Sequence, residues 1–153
     1  MIVDLMRNDL HRVCQPHSVE VTDPGSLHSF RHVHHLIADI GGYLRRDLSL
    51  GDILRALCPG GSITGAPKIE VMKAIDSYEP STSGYFMGNI CYFDPVTNYF
   101  DSSILIRTVV KLGANPYRFA AGSGLTINSS FSQEWAEIAA KSKVVKTIGV
   151  AKE

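Results

Sequence analysis

Apolar residues recur at helical spacing in five stretches of the chain. The helices predicted from this i, i+3, i+4 period span residues 2–13, 33–44, 50–57, 67–77 and 133–147. Pro67 is expected to be the first helical residue of its stretch, because a missing N–H costs nothing there. The pattern therefore places four helices in the first part of the chain and one at its end.

Other stretches are short and rich in β-branched and aromatic residues. The strands predicted from them span residues 19–22, 85–93, 100–110 and 117–121. Residues 23–25 (DPG) are expected to end the first strand. Residues 94–98 (DPVTN) are typical of a turn and join two later strands, so we expect an antiparallel meander. The predicted fold class is α+β, with helices packed on a largely antiparallel sheet.

Composition and charge exclude several classes of function. The 153 residues suffice for one core of ordinary size, and fifteen basic residues balance fifteen acidic ones. Charge therefore gives no reason to expect nucleic acid or an anionic membrane as partner. We find neither an apolar run of the roughly 20 residues needed to span a membrane nor a signal-peptide pattern, and we expect a cytoplasmic protein. Cys14, Cys58 and Cys91 lack zinc-ligand spacing and are expected to be reduced, partly buried thiols.

The chain is apolar from its first residue (MIVDLM), whereas native termini are usually polar. Two interpretations stay open: a chain that begins within a hydrophobic segment, or a core element that has no tail. In the first case, uncovered apolar surface predicts self-association.

A glycine-rich turn at residues 60–68 (GGSITGAPK) precedes one of the predicted helices. Such a turn presents backbone N–H groups that suit a carboxylate or a phosphate, and Ser62 and Thr64 add hydroxyl donors. The turn is not a Walker loop, because Ala66 and Pro67 stand where that motif has Lys followed by Ser or Thr. It is either an anion site or a plain helix-initiating turn.

Two acidic residues and a lysine share one face of the last predicted helix. Glu134, Glu137 and Lys141 lie three and four residues apart. Two carboxylates one turn apart suit a hard cation such as Mg²⁺, and the lysine can then meet an anionic substrate beside the metal. The alternative is a solvent-exposed face that carries one ordinary ion pair.

Three further polar features are open to a functional or a structural interpretation. Arg107 lies within a predicted strand (ILIRT), as a fork for a ligand carboxylate, as a residue on the solvated face of the sheet or as half of an internal ion pair. His35 stands near the start of a predicted helix, where it is either a group that donates to an anion or exchanges a proton, or else a surface residue or a satisfied core group. A compact polar set on the first helix indicates a structural hydrogen-bond network: Asp4, Arg7, Asn8 and Asp9.

Taken together, these segments resemble the motifs of chorismate-binding enzymes, in the same order. They are MIVDLMRNDL (1–10), VHHL (33–36), PGGSITGAPK (59–68), ILIRT (104–108), AGSG (121–124) and ExxExxxK (134–141). The resemblance covers nearly the whole chain. It implies an α+β fold in which curved antiparallel sheets flanked by helices hold one chorismate.

The resemblance also implies a metal site on the last helix. By position, Glu137 resembles a direct Mg²⁺ ligand and Glu134 its companion. Lys141 resembles the lysine that lies near the ring carboxylate of chorismate.

For the rest of the site, the resemblance implies a clamp on the enolpyruvyl carboxylate, made by Arg107 and the backbone N–H of Gly124. Ser62 stands where the family has a hydroxyl donor to the substrate, and His35 stands at the family's active-site histidine. The chain departs from the family pattern at Phe86, Cys91, Ser123 and Asn128.

The spellings MRND and GGSITGAPK resemble the aminodeoxychorismate synthase branch more than the anthranilate synthases. That branch makes 4-amino-4-deoxychorismate for folate synthesis from chorismate and ammonia, which a glutamine amidotransferase subunit supplies. Two alternatives are kept: a relative of anthranilate or isochorismate/salicylate synthases, and a binding or assembly module without the chemistry.

Finally, the resemblance implies that residues 1–153 are the carboxy-terminal portion of a chorismate-binding catalytic domain. In the family, the first Mg²⁺-binding glutamates and a nucleophilic lysine lie upstream of the motif that opens this chain. We therefore expect no turnover from this chain alone.

Overall fold

The computed structural model describes residues 2–30 and 34–148, without the side chains of residues 144 and 146–148. The chain divides into two compact units, Met1–Thr82 and Ser83–Glu153. Helices and antiparallel strand pairs occur in both units. Within the described residues, no helix is long and apolar enough to cross a membrane.

The first unit carries four helices and one strand pair within its described residues. In chain order they are α1 (Ile2–His11), β1 (Glu20–Ser29), β2 (His34–Gly41), α2 (Leu50–Leu57), α3 (Gly61–Thr64) and α4 (Lys68–Tyr78). The predictions of α1, α2 and α4 are confirmed. Ser49 and Asp52 form a capping box at the start of α2, where each side chain accepts from the other's backbone N–H. Pro67 is the N-cap of α4 and not its first helical residue.

Two predictions in the first unit are wrong. The segment predicted as a helix over residues 33–44 forms strand β2, which pairs with β1 in antiparallel register, Leu27 opposite Leu36. β1 does not end at residues 23–25, because shifts of register on either side of Asp23 carry the strand through this turn-forming sequence. The carboxylate of Asp23 accepts from the N–H of Gly25 at 2.9 Å. Pairing with the neighbouring strand β1 thus overrides the local helical period.

Burial in the first unit centres on the end of α1 and the residues that follow it. Val13 and Cys14 are 1% and 5% exposed, and Asp9 is buried with them. Burial raises the pKa of the Cys14 thiol. Burial differs between the other two cysteines: Cys58 is half-buried and Cys91 is exposed. The prediction of partly buried thiols is therefore wrong for Cys91.

The second unit consists of two short hairpins and a long helix within its described residues. In chain order they are β3 (Asn89–Asp94), β4 (Tyr99–Ile104), β5 (Val109–Val110), β6 (Arg118–Phe119) and α5 (Phe131–Ile148). β3 pairs with β4 and β5 with β6, as separate two-stranded sheets, so the expected continuous meander is wrong. The chain turns at Gly84 and Met87, where φ is positive, and β3 starts only after this turn.

Candidate functional site

A buried ion pair joins α1 to the glycine-rich turn. The ammonium of Lys68 lies 2.7 Å from Oδ1 of Asp9, and the two side chains are 9% and 3% exposed. Oδ2 of Asp9 accepts from the backbone N–H of Gly61 at 2.6 Å. Lys68 also donates to the carbonyl of Ala56 at 3.4 Å. At Asp9, the structural network predicted on the first helix is confirmed.

The N–H groups of the glycine-rich turn are largely bonded inside the protein. The carboxylate of Asp9 takes the N–H of Gly61. The N–H groups of Ile63, Thr64 and Gly65 donate to carbonyls of the turn itself, over distances of 2.9–3.1 Å. The anionic group bound by the turn is therefore the carboxylate of Asp9, a side chain of the protein itself. The hydroxyl of half-buried Ser62 bonds to none of the described residues and stays available.

His35 lies on strand β2 and not near the start of a helix, as the sequence had indicated. It is half-buried, and its ring meets that of Phe30 edge-on with the centroids 5.7 Å apart. The neighbouring His34 points to Ser29, whose Oγ lies 3.0 Å from its Nδ1. Among the side chains that the structure describes, none is hydrogen-bonded to His35.

Three residues of α5 form the charged face that their spacing predicts. The ammonium of Lys141 lies 2.6 Å from Oε1 of Glu137, and these side chains are 28% and 52% exposed. Lys141 also donates to the carbonyl of Gly122 at 2.8 Å. The face of α5 is thereby tied to the turn of residues 121–124. Sequence spacing showed the ion pair but not the bond to this turn.

Glu134, one turn before Glu137, is held by hydroxyl groups. The hydroxyl of Ser129, then that of Ser123, and to a smaller extent the charge of Lys141, keep the pKa of the Glu134 carboxyl below its usual value. Oε2 of Glu134 is shielded from solvent and has no hydrogen-bond partner among the described residues. Sequence reasoning missed both serines as partners, although Ser123 stood out as a departure from the family pattern.

The donor set on α5 fits a hard cation. Mg²⁺ prefers oxygen ligands, often takes only one or two protein carboxylates and keeps several waters. Glu134 and Glu137 supply two carboxylates, and the orphaned Oε2 of Glu134 lacks only a positive partner. No group of three or more His, Cys, Asp or Glu suited to a metal occurs in the part of the chain that the structure describes. Among the described residues, Glu134 and Glu137 are the carboxylates that would hold a cation at this position.

Arg107 does not lie on a strand, so that prediction is wrong. β4 ends at Ile104, because its pairing with β3 ends beside the turn that precedes β3. Arg107 follows in the left-handed region with φ +52°, a conformation that is rare outside glycine and recurs at functional sites. It is exposed and makes no ion pair with any described residue.

Gly124 lies in the exposed turn that precedes α5. No atom lies within 4 Å of the position that a Cβ would occupy there, so a ligand can approach the backbone closely. The second unit thus brings Glu134, Glu137 and Lys141 together beside this turn. The first unit carries His35 on β2 and Ser62 on α3.

These elements define an α+β protein that carries two carboxylates and a lysine on one face of α5. The chain belongs to the family of chorismate binding enzymes, whose model matches residues 1–147. The predicted fold class is confirmed by solved structures of this family's relatives.

The relatives carry different activities. Aminodeoxychorismate synthase component 1 of Klebsiella aerogenes is 43% identical over 137 residues, which are 90% of this chain and 30% of that protein. Anthranilate synthase component 1 of Acinetobacter calcoaceticus is 37% identical over 145 residues, 95% of this chain and 29% of that protein. The crystal structure of anthranilate synthase component I from Streptococcus pneumoniae TIGR4 matches with a TM-score of 0.78 and 34% identity, covering 94% of this chain and 32% of that one. The chain thus spans about 30% of the length of these relatives.

Proposed function

We propose that this chain is the carboxy-terminal portion of the chorismate-binding domain of an aminodeoxychorismate synthase. That enzyme converts chorismate and ammonia to 4-amino-4-deoxychorismate, and a glutamine amidotransferase subunit supplies the ammonia. The observation that carries the proposal is the cluster on α5. There Glu134 has one shielded carboxylate oxygen without a hydrogen-bond partner among the described residues, beside the Glu137–Lys141 pair. The 43% identity to an aminodeoxychorismate synthase component 1 favours this branch.

In this proposal, Glu137 and Glu134 hold Mg²⁺, which when bound supplies positive charge beside the ring carboxylate of chorismate. The hydroxyls of Ser129 and Ser123 lower the pKa of Glu134, which favours the ionised carboxylate that a cation needs. Lys141 lies close enough to both carboxylates to add its own charge to the ring carboxylate. The cluster therefore neutralises a ligand carboxylate that water would otherwise solvate.

The other site residues bind and orient the rest of the substrate. Arg107, which has no ion-pair partner among the described side chains, donates two parallel hydrogen bonds to the enolpyruvyl carboxylate. The backbone N–H of Gly124 donates to the same group. The uncommitted hydroxyl of Ser62 donates to the bound substrate. The ring of His35, which has no hydrogen-bond partner among the described side chains, contacts the bound substrate.

Titration calorimetry with chorismate and Mg²⁺ tests the proposal. We expect binding that requires Mg²⁺ and weakens about 10- to 100-fold in Glu137→Gln and in Arg107→Ala, since each change removes a charged hydrogen bond. Glu70→Gln is the matched control, because Glu70 is an exposed carboxylate on α4 paired only with Lys73. A chain that binds no chorismate, or binds it equally well in all variants, contradicts the proposal and favours an assembly module.

Anthranilate synthase is the second candidate, because such enzymes match this chain over 94–95% of its length. Product analysis of the whole protein with chorismate and ammonia separates the two activities. The absence of turnover by this chain alone, its self-association and its cytoplasmic location stay predictions. An assay of chorismate consumption and light scattering on the purified chain check the first two.

A further inference from the structure

The carboxylate of Asp9 bonds to both ends of the glycine-rich turn. Oδ2 of Asp9 accepts from the N–H of Gly61 at 2.6 Å, and Oδ1 meets the ammonium of Lys68 at 2.7 Å. These two partners stand seven residues apart, on either side of the turn. Ser62 follows Gly61 directly, so the carboxylate holds the chain one peptide away from the Ser62 hydroxyl.

We infer that Asp9 and Lys68 are positioning residues for Ser62: Asp9 occupies the anion position of the turn from inside the protein and thereby fixes where the Ser62 hydroxyl lies. The part that concerns substrate rests on the proposed function, in which Ser62 donates to chorismate. The part that concerns an internal anion stands independently of it.

Burial excludes a direct role for Asp9 toward a ligand. Its side chain is 3% exposed, and both of its oxygens are committed to the protein. It can therefore act on a substrate only through the turn. The turn also has no room to drift toward α1, since a Cβ on Gly61 would lie 3.1 Å from Oδ2 of Asp9 and 3.4 Å from Cβ of Leu5.

Chemical rescue tests the internal anion. Asp9→Ala leaves a cavity of about the size of formate, facing the N–H of Gly61 and the ammonium of Lys68. We expect a lowered thermal midpoint and faster exchange of the Gly61 amide proton, both restored by formate and not by chloride at equal ionic strength. Wild type and Glu70→Ala, which removes an exposed carboxylate, should not respond to formate.

The rescue experiment also has clear contrary outcomes. Equal effects of formate and chloride, or a Gly61 amide that exchanges as in wild type, overturn the inference. If Asp9→Ala does not fold, Asp9→Asn takes its place, because it keeps an acceptor for Gly61 and loses the charge that holds Lys68. The Gly61 amide proton is then expected to exchange faster in Asp9→Asn than in wild type, because a neutral amide replaces the carboxylate as its acceptor. An exchange rate equal to that of wild type overturns the inference.

A double-mutant cycle on chorismate affinity tests the positioning of Ser62. Ser62→Ala should weaken binding by about three- to tenfold, the usual range for one hydrogen bond. In the Asp9→Asn background the same change should have little further effect, because the hydroxyl is already misplaced. If the fold-losses in chorismate affinity of Ser62→Ala and Asp9→Asn multiply in the double variant, the two residues act independently and the positioning role of Asp9 is overturned. If the wild-type chain does not bind chorismate, the proposed function is contradicted. The formate rescue and the exchange of the Gly61 amide proton then still test whether Asp9 is the internal anion of the turn.

Discussion

Replacing Lys68 with Met removes the ammonium beside Asp9 while it keeps a long unbranched side chain on α4. The Asp9 carboxylate then remains buried with no cation, and only its bond from the N–H of Gly61 is left. Removing one partner of a buried ion pair typically costs about 3–5 kcal/mol, because the charge that remains is neither solvated nor paired. Since small proteins are stable by roughly 5–15 kcal/mol, this loss should consume a large part of the stability of the first unit.

Lys73→Met provides a matched control on the same helix. The ammonium of Lys73 lies 2.8 Å from Oε1 of Glu70, against 2.7 Å in the buried Lys68–Asp9 pair. The side chains of Lys73 and Glu70 are 67% and 66% exposed. An exposed pair contributes only about 0–1 kcal/mol. The two variants therefore share the chemical change, the helix and the bond length, and differ in burial.

Urea denaturation followed by far-ultraviolet circular dichroism compares the two lysine variants. We expect a clearly lower midpoint for Lys68→Met and a midpoint close to wild type for Lys73→Met. The double change Asp9→Leu with Lys68→Met should recover part of the loss, since it leaves no charge buried. Equal midpoints for the two single variants would refute the assignment of the Asp9–Lys68 pair as the centre of the first unit.

Three further outcomes follow from local geometry. Gly61→Ala should cost about 1–3 kcal/mol, because its Cβ would lie 3.1 Å from a buried carboxylate oxygen, whereas Gly41→Ala meets no atom within 4 Å; thermal melts of both variants check this. Ser49→Ala should cost about 1 kcal/mol through loss of the α2 cap, measured by the same melts. Ser129→Ala should raise the pKa of Glu134, read by carboxylate NMR titration. The pKa of Glu134 is lower in the folded chain than in the unfolded one, so the ionised carboxylate stabilises the fold at pH values above its unfolded pKa. This stabilisation is lost as the pH falls through the folded pKa. In Ser129→Ala the folded and unfolded pKa values should lie closer together, so the pH range over which stability is lost should be narrower.

Features set by local chemistry could be predicted from the sequence. Helix α2 follows from its apolar period and from Ser49 and Asp52 at its start. The charged face of α5 follows from helix geometry alone, because residues three and four apart must share a side. Such features need no knowledge of distant partners.

Features set by distant pairing could not be predicted in this way. Strand β2 exists because Leu36 and its neighbours pair with β1, and the helical spacing of their apolar residues carries no information about that register. The bond from Gly61 to Asp9 joins residues 52 positions apart. Arg107 leaves its strand because of a turn about twenty residues earlier in the chain, so local β propensity placed it wrongly.

The most direct test of the central proposal is paramagnetic NMR with Mn²⁺ in place of Mg²⁺ and chorismate present. If the α5 cluster holds the cation beside chorismate, the signals of Arg107 and Gly124 should broaden together with that of Lys141. In Glu137→Gln this broadening should disappear. Broadening confined to α5, with Arg107 and Gly124 unaffected, would contradict the proposal.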